Sequence, residues 1–434
     1  MTNPRPSKIG QMLSRHRVIL VIWALTASFG AYFCMYAFRK PFNTGLYEGL
    51  VLWGMSYKTI LIITQVAGYM VSKFIGIKVI SELSPNRRTI LALTLIGIAH
   101  TSLLLFGLVP YPYNFIFLFL NGLPLGMVFG VLFSYLEGRR VTEMVVMGLG
   151  ISIIVASGVL KTVYIEVHQL VPEVSEFWMP FLIGTLFLPL FIIFMWMMSV
   201  LPPPDARDIA NRTLREPMTA IDKQLALKQY GLPVICYIVV YAMLTMVRDF
   251  RDNFAVEIWN EVEANWQSGV LAQTELIIGL IVLGVIGSLS LIRDNRIGFS
   301  LINAIMLGGL LLAALASALF TRHLISGYQW MLLLGVGTFL SYITAQTVLF
   351  ERMIALFKIK ANAGYFVYLC DSTGYLGSVG LLVYKEFFTR ELRWSEVLIS
   401  FVHLQTVVGI FFLLICLLIL FQKARRNQFW LKVV

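Results

Sequence analysis

Runs of about twenty apolar residues, the length that crosses a hydrocarbon layer about 30 Å thick, recur twelve times along this chain of 434 residues. The candidate spans are 18–38, 58–80, 89–109, 113–135, 144–167, 178–201, 232–252, 268–292, 297–320, 328–350, 361–386 and 396–422. The first run is longer than the core of a signal peptide and no clear cleavage site comes after it, so it is counted as a membrane helix. Composition agrees: 58% of residues are hydrophobic, only 13% are charged, and the mean hydropathy is +0.80. A soluble chain carries about a quarter charged residues. A soluble enzyme, a nucleic-acid binder and a disordered scaffold are therefore poor fits, and an all-α polytopic membrane protein is expected.

The charge that remains lies between the runs. Lys and Arg number 34 against 23 Asp and Glu, a net +11. The longest interruption, 202–231, opens with Pro202-Pro203-Pro204, which cannot continue a helix. After it come Asp205, Arg207, Asp208, Arg212, Arg215, Glu216, Asp222, Lys223 and Lys228. Six runs precede the interruption and six come after. The expected organisation is a six-helix half at 1–201, a cytoplasmic linker at 202–231 and a second six-helix half at 232–434. Basic residues mark the cytoplasmic side. Arg5, Lys8, Arg15, Arg17, Lys73, Lys78, Arg87, Arg88, Arg139, Arg140, Arg293, Arg296, Arg352, Lys358 and Lys360 fall on one side, with the linker and the C-terminal tail. Glu166, Glu173, Glu176, Glu257, Glu261 and Glu263 fall on the other. Both termini are therefore expected in the cytoplasm, in a plasma (inner) membrane. The sequon Asn211-Arg212-Thr213 is then internal and carries no glycan. Cys34, Cys236, Cys370 and Cys416 each sit alone in an apolar run and read as reduced, small apolar side chains.

A charge inside a membrane helix is costly and marks a functional candidate. Five stand out: Arg39, Lys161, Arg248, Glu275 and Asp371. Arg39 closes the first helix and Arg248 occupies the equivalent place in the seventh, 209 residues later. Each stands seven residues after a tyrosine, Tyr32 or Tyr241, which is two helical turns and one face. Two guanidiniums converging on a cavity would make a bidentate clamp for an oxyanion. The competing reading is two side chains snorkelling at helix ends. Lys161 and Asp371 stand 210 residues apart with opposite signs. Lys161 and Glu275 lie at similar depth and are expected to pair. His100 and His403 read as hydrogen-bonded core histidines. Gly122, Gly126 and Gly130, spaced by four, together with Gly308-Gly309 and Gly335/Gly337, read as close helix-packing sites. No nucleophile elbow, phosphate loop or metal-ligand spacing appears. A membrane-embedded enzyme would need one, so no catalytic residue, cofactor or metal is expected.

These stretches resemble the major facilitator superfamily and, within it, the organophosphate:phosphate antiporter branch. Tyr36-Ala37-Phe38-Arg39-Lys40-Pro41-Phe42 is similar to that branch's first-helix pattern. Ser72-Lys73-Phe74-Ile75 with Asn86-Arg87-Arg88 resembles its second-helix segment and basic loop. Tyr241 through Arg248, with Asp252 and Trp259, resembles its seventh helix, and Asp371-Ser372-Thr373-Gly374-Tyr375-Leu376-Gly377 its eleventh. The resemblance implies twelve helices in two pseudo-symmetric halves that rock around a central site. It also implies that Arg39 and Arg248 are the paired anion-binding arginines, with Lys40 and Lys73 as accessory cations. Tyr32, Tyr36 and Tyr241 would hydrogen-bond the substrate. Asp371, Lys161, Glu275 and Lys73 would couple or gate. The chain departs from the branch in helix 4, where Gly122-Leu123-Pro124-Leu125-Gly126 replaces a Trp-Pro. It departs again in helix 5, where Lys161 stands and no cavity histidine is seen. Sugar- and glycerol-phosphate specificities are therefore not carried over. The expected function is secondary transport of a small organic anion, phosphorylated metabolites among the candidates, by a monomer in the lipid bilayer that binds no nucleic acid. The alternative is a sensor with the same fold and no transport.

Overall fold

The structure, a computed structural model, describes residues 8–81, 83–136, 142–202, 220–292, 294–359, 363–388 and 391–426. The sequon, most of the charged linker, Arg5, Arg139, Arg140, Arg293 and Lys360 lie outside the described residues.

Among the described residues, twelve helices are long and apolar enough to cross a membrane. In lipid a backbone must satisfy its own polar groups, and a helix does so within one segment. They are α1 (Arg17–Ala37), α2 (Tyr57–Ser81), α3 (Arg88–Leu108), α4 (Phe115–Leu136), α5 (Thr142–Leu170) and α6 (Met179–Ser199). Then come α7 (Ala220–Asn253), α8 (Gly269–Ser290), α9 (Asn295–Thr321), α10 (Gly327–Phe357), α11 (Ala363–Phe388) and α12 (Trp394–Arg426). The chain is a multi-pass, all-α membrane protein.

The helix ends have visible causes. Asp294 accepts the backbone N–H groups of Arg296 and Ile297 at the start of α9. Ser326 and Gln329 form a reciprocal capping box at the start of α10. Helix α7 differs from expectation. It begins at Ala220, inside the stretch read as linker, because residues 220–231 are polar but contain good helix formers such as Ala, Leu, Lys and Gln. A second difference is a two-residue antiparallel hairpin between α1 and α2, Val51–Leu52 with Met55–Ser56. Its turn residues Trp53 and Gly54 both have positive φ, 52° and 76°, which suits a tight hairpin turn.

The chain divides into two compact units. One comprises Met1–Thr213 with Gln267–Leu276, and the other Leu214–Trp266 with Ile277–Val434. Within the first, α2 and α4 pack closely along the spaced glycines. A Cβ on Gly122 would strike the Gln65 carbonyl, and one on Gly126 would lie 2.6 Å from the Ser72 Cβ. Within the second, Gly309 of α9 meets Gly337 of α10, where a Cβ on Gly337 would lie 2.5 Å from the Gly309 carbonyl oxygen. Gly308, next to it, faces open space. The glycine pattern is thus a packing pattern, with Gly308 outside it.

Each unit also carries a carboxylate staple. In the first, both Glu176 oxygens accept backbone N–H groups, from Leu46 at 2.9 Å and Tyr47 at 2.8 Å. Burial holds the Tyr47 phenol well above its ordinary pKa range, and neighbouring Tyr164 and Glu176 push the same way, so it stays a neutral hydroxyl. In the second, Glu261 accepts the Trp394 and Ser395 N–H groups at 2.9 and 2.8 Å, at the first turn of α12.

Paired substitutions separate the two neighbouring glycines. Gly309→Leu should lower the melting temperature of the detergent-purified protein sharply or abolish its folding, whereas Gly308→Leu should melt as the wild type. Equal effects would show that the α9–α10 approach is not the constraint.

Candidate functional site

The backbone around Arg39 is set by two buried amides. Helix α1 ends at Ala37, and Arg39 lies in the turn beyond it, its N–H donating to the Tyr36 carbonyl at 3.0 Å. The last carbonyls of a helix have no partner within it. Here Asn121 of α4 donates to the Phe38 carbonyl at 3.0 Å, and its amide also reaches the mid-helix Ala99 carbonyl of α3 at 3.0 Å. Gln65 of α2 donates to the Arg39 carbonyl at 3.0 Å and to the Asn121 side-chain oxygen at 2.8 Å. The glycine-lined approach of α2 to α4 brings these two amides together.

On this base the Arg39 guanidinium lies 4.1 Å from the centre of the Tyr69 ring and 5.6 Å from that of Tyr36. Tyr36 packs edge-on against Tyr32, and Tyr32 against Phe129. Lys73, one turn beyond Tyr69, holds its ammonium 5.3 Å from the Tyr69 ring and 5.9 Å from that of Phe129. Two cations thus gather on one phenol ring, each attracted to its negative face. Lys40, next in the chain after Arg39, is buried. The end of α1 alters one expectation. Arg39 has left the helix, so its ring partners are Tyr36 and Tyr69, and Tyr32 lies one ring further back.

The second unit builds a similar device on α7. Arg248 is only 8% exposed, too buried for a snorkelling residue. Its guanidinium lies 4.1 Å from the centre of the Tyr342 ring, on α10. Tyr241, two turns earlier on the same face, donates its one hydroxyl hydrogen to the Asp371 carboxylate at 2.6 Å, and its oxygen lies 2.9 Å from the Tyr342 hydroxyl. The Asp371 carboxylate is buried. Arg248 also pairs with its neighbour Asp249, donating from Nε at 2.9 Å and Nη2 at 2.5 Å to the same oxygen. Ser378 of α11 donates to the other Asp249 oxygen at 2.9 Å.

The helix 11 glycines explain how two partners on α11 reach α7. A Cβ on Gly374 would lie 2.7 Å from the Thr245 hydroxyl, and one on Gly377 would lie 3.0 Å from the Met246 sulfur. Asp371 stands one turn before this close approach and Ser378 one turn after Gly374. The contact therefore delivers one acid to Tyr241 and one hydroxyl to Asp249.

Lys161 is almost fully buried in α5, at 2% exposure. Segment 267–276, which belongs to the same unit, runs along α5: Thr162 donates to the Ser268 carbonyl at 2.8 Å, and Glu166 accepts a hydrogen bond from the Ser268 hydroxyl. A Cβ on Gly158, one turn before Lys161, would lie 2.6 Å from the Glu275 Cγ. His100, half-buried rather than in the core, stacks on Phe181 with ring centres 4.5 Å apart and meets the Thr185 hydroxyl at 3.3 Å. His403 differs from expectation: it is exposed on α12. The four cysteines are buried and free. No metal-binding group of His, Cys, Asp and Glu occurs among the described residues.

Tyr69, Tyr342, Asp249, Ser378, Gln65 and Asn121 are not among the residues singled out from the sequence. Gln65 and Asn121 carried a signal, as lone amides within apolar runs. Asp249 carried one as a second charge beside Arg248.

The chain belongs to DUF5690, described as a family of unknown function, whose pattern matches residues 41–424. No curated protein matches it. Solved structures with the same architecture include a point mutant of the nucleoside transporter NupG, at 18% identity and a TM-score of 0.63, covering 91% of this chain and 98% of that one. The POT family transporter PepTSo is 11% identical with a TM-score of 0.60, over 91% and 97% of the two chains. A D-xylose–proton symporter is 13% identical with a TM-score of 0.56, over 92% and 95%. At these identities the likeness establishes the fold, which is the major facilitator fold.

Replacing Asn121 by Leu leaves the Phe38 carbonyl, beyond the end of α1, without its donor, whereas the Ala99 carbonyl keeps its partner within α3. The expected loss is about 1–3 kcal/mol per orphaned group, read as a lower melting temperature in detergent, while the exposed Thr101→Ala should leave it unchanged.

Proposed function

We propose that the protein is a secondary active transporter of a small organic anion, with phosphorylated metabolites the first class to test. The observation that carries this reading is the repeated placement of an arginine. Arg39 and Arg248 are 209 residues apart in sequence. Each lays its guanidinium 4.1 Å from a tyrosine ring on another helix of its own unit. A guanidinium withdrawn from lipid and held on an aromatic face keeps its donors in a fixed plane, the form in which it grips a carboxylate or phosphate. The resemblance to organophosphate:phosphate antiporters supports the same assignment, and the transporters of like fold support the general activity. Arg39 and Arg248 bind the anionic group, Lys40 and Lys73 add positive potential, and Tyr32, Tyr36 and Tyr241 offer hydroxyls. Asp371, held by Tyr241, couples or gates. The protein is assigned to the plasma membrane as a monomer, with both termini in the cytoplasm.

Lys161 and Glu275 are assigned as an intramembrane ion pair. The burial of Lys161 and the position of the Glu275 stem against Gly158 support it. A lone buried charge is strongly destabilising, whereas an apolar pair in its place is tolerated. Glu275→Leu alone should therefore lower the melting temperature, and Lys161→Met with Glu275→Leu should restore it. Additive losses would remove the pair.

In proteoliposomes loaded with phosphate, the wild type should take up a labelled organophosphate. Arg39→Ala and Arg248→Ala should each cut uptake by about a hundred-fold or more, two lost charge-assisted hydrogen bonds, at near-normal expression. Arg→Lys keeps the charge but loses the planar fork and should recover little. Full uptake by both alanine variants would refute the assignment, and binding without flux would make the protein a receptor.

A further inference from the structure

The two arginines have opposite neighbours. Lys40 stands directly after Arg39, whereas Asp249 stands directly after Arg248, at the equivalent position 209 residues on. One unit therefore adds a cation beside its arginine, and the other adds an anion. The Nε and Nη2 donors of Arg248 form the edge of the guanidinium that grips two oxygens of a phosphate or carboxylate in parallel. Asp249 takes both donors with one oxygen, Oδ1, at 2.9 and 2.5 Å. Its second oxygen is turned to the Ser378 hydroxyl, 2.9 Å away. The pairing is thus a shared single-oxygen contact rather than a fork on a fork. An oxyanion presenting two oxygens would satisfy the same edge more fully.

We propose that Asp249 is a built-in competitor for the anion site: it covers the binding edge of Arg248, an incoming oxyanion must displace it, and Ser378 keeps hold of its carboxylate when it moves aside. This inference rests on the assignment of Arg248 as an anion-binding residue. Its consequence is selectivity. Only a ligand that outcompetes a tethered carboxylate is admitted, which favours doubly charged or bidentate groups over singly charged, monodentate ones. Among the described residues, Arg248 also interacts with Tyr342 on α10, Tyr241 on α7 and Tyr375 on α11, and Asp371 of α11 lies behind Tyr241 and Tyr342. Of the two carboxylates, Asp249 is bonded to the guanidinium and Asp371 to the Tyr241 hydroxyl.

The test is the binding of inorganic phosphate to the full-length protein in nanodiscs, by calorimetry, with succinate as a second probe. Asp249→Asn removes the charge and keeps the shape, and should bind phosphate about ten-fold more tightly, the effect of losing one charge-assisted competitor. Asp249→Glu keeps a carboxylate and should stay near the wild type. Glu396→Gln removes an equal charge from an exposed position of the same unit and should leave affinity unchanged. The gain should vanish in Arg248→Ala with Asp249→Asn. Asp249→Ser replaces the asparagine variant if that one does not fold, and failure of both to fold overturns the proposal by making Asp249 a structural residue. Equal affinity of Asp249→Asn and the wild type, or an equal gain from Glu396→Gln, also overturns it. If Arg248→Ala abolishes phosphate binding while Asp249→Asn gains nothing, the transport reading stands and this one falls. Absence of phosphate and succinate binding from every variant removes both.

Discussion

A cation drawn into a bundle of apolar helices has to rest on something that replaces water, and much of this structure depends on how that is arranged. The chain uses aromatic faces. Arg39 and Lys73 lie on Tyr69, and Arg248 lies on Tyr342. A phenol ring attracts a cation without neutralising it. A carboxylate partner offsets the positive charge, and a ring leaves it in place. At Arg248 the ring is joined by the Asp249 carboxylate, which offsets part of the positive charge there.

Placing rings and charges this closely needs helices that approach more tightly than ordinary side chains permit. Glycine provides the approach in several places, among them along α2 and α4 at Gly122 and Gly126, between α9 and α10 at Gly309 and Gly337, and between α7 and α11 at Gly374 and Gly377. In hydrocarbon there is no hydrophobic drive between helices, so van der Waals packing and hydrogen bonds carry the association. The same contacts position chemistry. Gly122 stands beside Asn121, which holds the exit of α1, and Gly374 stands between Asp371 and Ser378, the two α11 residues that reach α7.

The sequence made the helices legible because a hydrocarbon layer imposes one length and one composition on every crossing. It made Arg39, Arg248 and Asp371 legible because a charge inside such a run is costly enough to need a reason. The start of α7 was hidden, since residues 220–231 are polar and give no crossing signal, although their helix propensity is good. Tyr69 and Tyr342 were hidden for another reason. The chain has 18 tyrosines, and a tyrosine in an apolar run costs little, so burial alone does not single one out. Asp249 was masked by Arg248 beside it, because adjacent residues on a helix usually point to different sides and do not announce a pair. Tyr32 kept its place on the face expected of it, but the unwinding after Ala37 handed its role as ring partner to Tyr36.

The glutamate staples have a consequence for how freely the loops can vary. Glu176 and Glu261 each spend both oxygens on main-chain N–H groups, those of Leu46 and Tyr47 in one unit and of Trp394 and Ser395 in the other. Every amino acid except proline offers that same donor. The identity of the residues being held is therefore nearly irrelevant to the grip, while the identity of the residue doing the holding is not. Relatives of this chain can rewrite these short segments for new surroundings and still keep the entry of α12 and the exit from α1 anchored, provided the two acids remain and no proline arrives opposite them.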